Sequence, residues 1–163
     1  MKIIFLILLV IFGFPIDKCS FEFESKYRSR PEKETFSLSP SGHFMIHYDT
    51  LGVAAPNLTD LDENNIPDYV DEVGIIADST RNVLVNVMGF RPEVDDSDGI
   101  YDIYIDQRCN GCYGVNTPDS PNGNGSYITI DNDYSEGYYT SGLLTMRLTV
   151  AHEFFHAIQR AYK

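Results

Sequence analysis

Three features of this chain predict an α+β fold: two segments of helical period, three short segments of strand period, and intervening loops rich in Gly, Asn and Pro. They follow one another as strand, helix, strand, strand, helix. A twisted sheet backed by two helices is the economical way to bury the apolar faces of such a set. At 163 residues the chain suits one domain.

Residues 1–19 read as an export signal. Lys2 supplies the positive start, and the apolar run 3–14 is too short to span a bilayer. A secreted location follows, extracellular or periplasmic, with no stable membrane span once the signal is removed. Residues 20–41 are charged, rich in Ser and Pro and without period, and are expected to be a linker or pro-segment. Ordered sequence is expected from Gly42, with 42–163 forming the domain.

Phe44, Ile46 and Tyr48 alternate with Met45 and His47, a short strand. Pro67 suits the first position of a helix, and Val70, Val73, Ala77, Leu84 and Val87 continue its apolar stripe to Met88. Gly89 supplies the stop, so this helix covers about 67–88. The alternation of residues 101–106 and 127–131 predicts two more strands. Between them, 107–125 reads as a long loop holding Cys109 and Cys112, whose spacing suits a tight disulfide in an exported chain, with free thiols as the alternative. A second helix covers about 142–162.

Asp and Glu number 24 against 12 Lys and Arg, a formal net charge of −12. That balance argues against nucleic acid as a partner and suits a secreted, cation-binding protein. Within the second helix stands His152-Glu153-Phe154-Phe155-His156. Positions i and i+4 share a helix face, so the two histidines are spaced to hold one Zn²⁺, with Glu153 placed as general base for a water. The flanks Thr149-Val-Ala151 and Ala157-Ile158 carry no charge, as expected of a buried helix showing one polar face to a cleft. A core helix with carbonyl-bonded histidines would leave Glu153 unexplained among apolar neighbours, where a carboxylate is costly.

On this motif, together with Phe44-Met-Ile-His-Tyr-Asp49, Ile66-Pro-Asp-Tyr-Val70, Tyr101-Asp-Ile-Tyr104 and Tyr127-Ile-Thr-Ile-Asp-Asn-Asp133, the chain resembles the zincin metallopeptidases. It is most similar to the Myxococcus-type family of secreted bacterial metalloproteases. The resemblance implies the N-terminal half of a zincin-like domain, with a backing helix, an active-site helix and a substrate cleft under the sheet's edge strand, a place residues 127–131 would fill. A metzincin would need Gly at 159 and His at 162, where Gln159 and Tyr162 stand. A gluzincin-like site takes its third ligand from a downstream Glu, so the chain reads as truncated before that ligand.

Residues 60–71 follow a calcium-loop pattern, with Asp60, Asp62, Asn64, the Ile66 carbonyl, Asp68 and Asp71 as the oxygen donors. The loop resembles those of thrombospondin type 3 repeats. Asn65 replaces the usual turn glycine, and Asn tolerates the left-handed conformation better than most residues. The bland reading is an acidic turn that favours the N-terminus of the following helix. Together these features predict a secreted zinc endopeptidase acting on peptide or protein substrates, with Zn²⁺ at the histidines and Ca²⁺ at the acidic loop. The alternative is a secreted, calcium-stabilised binding module with a vestigial or structural zinc pair.

Overall fold

The computed structural model describes residues 29–94, 98–107, 112–120, 123–135 and 138–163. The export signal at 1–19 and Cys109, hence the expected disulfide, lie outside them. In chain order the elements are β1 (Thr35–Leu38), β2 (Phe44–Tyr48), α1 (Asp68–Arg81), β3 (Tyr101–Asp106), β4 (Gly114–Pro118), β5 (Ser126–Asp131) and α2 (Gly142–Arg160). The fold is α+β.

The five strands form one mixed sheet in the order β1-β2-β3-β5-β4. β2, β3 and β5 run parallel, and the two outer strands pair antiparallel to their neighbours. Parallel pairing of β2 with β3 requires a crossover, and α1 provides it. Period-two alternation decides what each face buries. Phe44, Ile46, Tyr101, Ile103, Ile105, Ile128 and Ile130 meet Val70, Val73 and Ala77 of α1 and Met146, Val150, Phe154, Ala157 and Ile158 of α2 in a single core. Both helices therefore back the same face.

α1 begins where its chemistry predicts. Pro67 caps it, its carbonyl accepting from the Val70 and Asp71 amides at 2.8 and 3.0 Å. Asp68 and Asp71 occupy the positive end of the helix dipole and Arg81 the negative end. From Asn82 to Val87 the helix widens into π-helical turns, in a run whose Val and Asn residues, Leu84 apart, are weak helix formers. Gly89, at φ +74°, ends it.

Two segments differ from the sequence expectation. The stretch 20–41 is not all linker. Residues 35–38 form the edge strand β1, and the chain just before it lies on the sheet's outer face. There Lys33, whose side chain is 4% exposed, pairs with Asp49 and Asp106 at 2.9 and 3.0 Å. Arg30 pairs with Asp102 and Asp119 and stands over the Tyr127 ring. His47 stacks on Tyr104 and donates to Asp102 at 2.6 Å, with burial first and Arg30 second holding its pKa down to about 4. Such anchors join distant stretches of sequence and leave no periodic trace.

The second difference lies in 107–125, expected as loop, where residues 114–118 form β4. Gly and Pro, which made this stretch read as loop, are tolerated on an edge strand and at its ends. β4 is consequently the sheet margin on the α2 side. β5 (residues 126–131), expected at that margin, is an interior strand between β3 and β4.

Candidate metal centre

α2 presents three faces. Met146, Val150, Phe154 and Ile158 turn into the core, Thr149 and Glu153 turn toward β4 with Thr145 buried on the same face, and His152 and His156 turn outward. The Nε2 atoms of His152 and His156 are 3.2 Å apart, with the rings perpendicular. Two nitrogens bound to one tetrahedral Zn²⁺ at 2.0–2.1 Å would be about 3.3 Å apart. That separation matches a shared zinc, and it is equally a hydrogen-bond distance between the two rings. Burial first, and His156 second, hold the His152 pKa below the ordinary histidine range, which favours the neutral, ligating form.

Glu153 is 1% exposed. With Tyr113, Thr140, Thr145, Leu148, Thr149 and His152 it lines a pocket of about 190 Å³. The pocket wall is held by tyrosines: the Tyr113 hydroxyl accepts from the Tyr139 and Thr140 amides, and Tyr138 donates to Asp131 at 2.8 Å. Tyr134, fully buried, has its phenol pushed well up by burial above all, with Asp131 and Glu153 adding to it, so it remains protonated.

The sequence assigns no site role to Gly114, Tyr113, Thr145 or Thr149. The threonines carried a signal, since 145, 149 and 153 recur every four residues on one helix face. Gly114 had none. A Cβ there would stand 2.6 Å from the Thr149 methyl and 3.0 Å from Glu153 Cγ, so only glycine lets β4 approach α2 this closely. Gly114→Ala is expected to destabilise the fold by about 1–3 kcal/mol, because strand and helix must part. Urea unfolding measures this, and an unchanged midpoint would contradict the packing.

Among the described residues, neither histidine belongs to a group of three or more convergent His, Cys, Asp or Glu side chains. The group that does converge is Asp60, Asp62 and Asp68, with ligand atoms within 4.8 Å of one another. Three of the six expected calcium donors are thus together. Asn64 donates from Nδ2 to Asp62 and Asp71, at 3.2 and 2.6 Å, and its Oδ1 accepts from the Ile66 amide. Asp71 is thereby held by Asn64 and stands outside the group of three. Asn65 adopts φ +71°, the left-handed turn expected of it. The Asp62 carboxyl is held above its ordinary pKa, by lost solvation first and by Asp60 next.

Tyr162, where a metzincin would have its third histidine, packs on Phe90, and its hydroxyl accepts from the Arg91 amide at 2.8 Å. It fastens the end of α2 to the loop after α1. No helix among the described residues is long and apolar enough to cross a membrane. The chain matches no protein-family model, no curated protein and no solved structure.

Proposed function

We propose that this protein is a secreted zinc-dependent endopeptidase of the zincin type, gluzincin-like in its ligand set. His152 and His156 hold the metal, and the third ligand comes from outside the described residues. The observation that carries this reading is the 3.2 Å approach of the two Nε2 atoms beside a pocket that contains the buried Glu153. A core helix needs neither the paired nitrogens nor the buried acid.

Zn²⁺ bound there would supply a Lewis acid for the scissile carbonyl and lower the pKa of a water to about 7. Glu153 takes a proton from the attacking water and passes it to the departing amine, so no covalent acyl intermediate is needed. An extended peptide pairing along the β4 margin would pass over Glu153, since Gly114 brings that strand against it. Leu144, Leu148 and Phe155 leave apolar surface on the histidine side of α2, which the segment bearing the third ligand would cover. The test is hydrolysis of an unstructured protein such as casein by the product of the full reading frame. Loss of activity on chelation and recovery with Zn²⁺ are expected, whereas chelator-resistant activity would refute the reading.

The loop 60–71 is the proposed calcium site, with a structural role. Its support is the convergence of three carboxylates, the left-handed Asn65 and the raised Asp62, whose crowding a cation would relieve. After chelation, adding millimolar Ca²⁺ is expected to raise the melting temperature by several degrees in wild type and not in Asp60→Asn. Unchanged melting would count against it.

A further inference from the structure

Gln159 matches no part of a known zinc signature, yet it contacts His156, one of the two proposed zinc ligands. It lies three residues after His156 on α2, and its Oε1 is 2.8 Å from His156 Nδ1. An amide oxygen can only accept, so the proton of the neutral imidazole resides on Nδ1. The lone pair is left on Nε2, the atom 3.2 Å from His152 Nε2. A solvent-exposed histidine without such a partner would divide its proton between the two nitrogens and its ring between rotamers. We propose that Gln159 is a positioning residue that fixes the metal-binding tautomer and ring orientation of His156.

This role rests on the zinc reading, and it accounts for a polar side chain at this helix position. Gln159 is exposed and outside the core, so changing it leaves the packing of α2 intact. Its acceptor can be removed at nearly constant volume in Gln159→Leu or retained in Gln159→Glu. Outer-shell partners of this kind are worth about 10–100-fold in metal affinity.

Two measurements test the proposal. In metal-free protein at neutral pH, ¹⁵N NMR is expected to show His156 protonated at Nδ1, and Gln159→Leu to shift it toward the Nε2-protonated form. In competition with a chromophoric chelator, Gln159→Leu is expected to bind Zn²⁺ about 10–100-fold more weakly than wild type, and Gln159→Glu to restore the affinity. Zinc binding lost in His156→Ala but unchanged in Gln159→Leu, with the tautomer also unchanged, overturns the role of Gln159 alone. Zinc binding that survives His156→Ala undiminished overturns the zinc reading and this role with it.

Discussion

Glu153→Gln is expected to lower peptide hydrolysis by about 10²–10⁴-fold, the usual worth of a positioned general base, while leaving zinc binding intact. Gln has the same shape, so the pocket formed with Tyr113, Thr149 and His152 stays filled. What disappears is the atom that accepts the water's proton. The stability consequence runs the other way. Glu153 is 1% exposed, and a carboxylate so deeply buried costs folding free energy that a neutral amide does not. The variant should therefore melt at or above the wild-type temperature. Kinetics on a fluorogenic peptide, zinc analysis and thermal melting separate lost chemistry from lost fold. Wild-type turnover by Glu153→Gln would remove the endopeptidase proposal and favour the binding-module alternative.

The second large effect belongs to the two histidines proposed as zinc ligands. His152→Ala and His156→Ala are each expected to weaken zinc binding by more than the about 10–100-fold that an outer-shell partner contributes, and to abolish hydrolysis. Neither side chain is part of the apolar core, so the metal-free variants should unfold at the same denaturant concentration as metal-free wild type. Only the stabilisation gained by adding Zn²⁺ should vanish. The pH dependence has a defined sign. Zinc binds the neutral imidazole, so affinity falls as pH drops through the histidine range. His152, whose pKa is lowered by burial and by His156, keeps its neutral form further into acid than an ordinary histidine. Isothermal titration at several pH values measures both effects. Equal zinc affinity in the alanine variants would contradict the assignment.

What the sequence revealed follows from the range of its signals. The strand at 44–48, the helix from 68 and the helix from 142 are written in local periods, and a His pair at i and i+4 is a local signal as well. β1 and β4 were hidden because edge strands are short and admit the Ser, Gly and Pro that mark loops. Lys33 reaches Asp49 and Asp106, and Arg30 reaches Asp102 and Asp119, contacts that no local window of the sequence contains. The same applies to the site. Glu153 and its histidines were legible, but Gly114 and Tyr113 come from a strand and loop whose nearness to α2 is a property of the sheet order. The observed sheet margin differs from the one expected at residues 127–131 for the same reason, since β4, which covers it, has the composition of a loop. Gln159 was visible only as a mismatch to one zinc pattern until its carbonyl was placed on His156.

The proposed endopeptidase depends on one Zn²⁺ bound by His152 and His156 through Nε2. X-ray absorption at the zinc edge, on protein from the full reading frame carrying one Zn²⁺ per chain, tests it most directly. Two imidazole nitrogens at about 2.0–2.1 Å are expected in wild type, with their loss in the His152→Ala, His156→Ala double variant. A zinc environment that contains no imidazole, or one unchanged in the double variant, would contradict it.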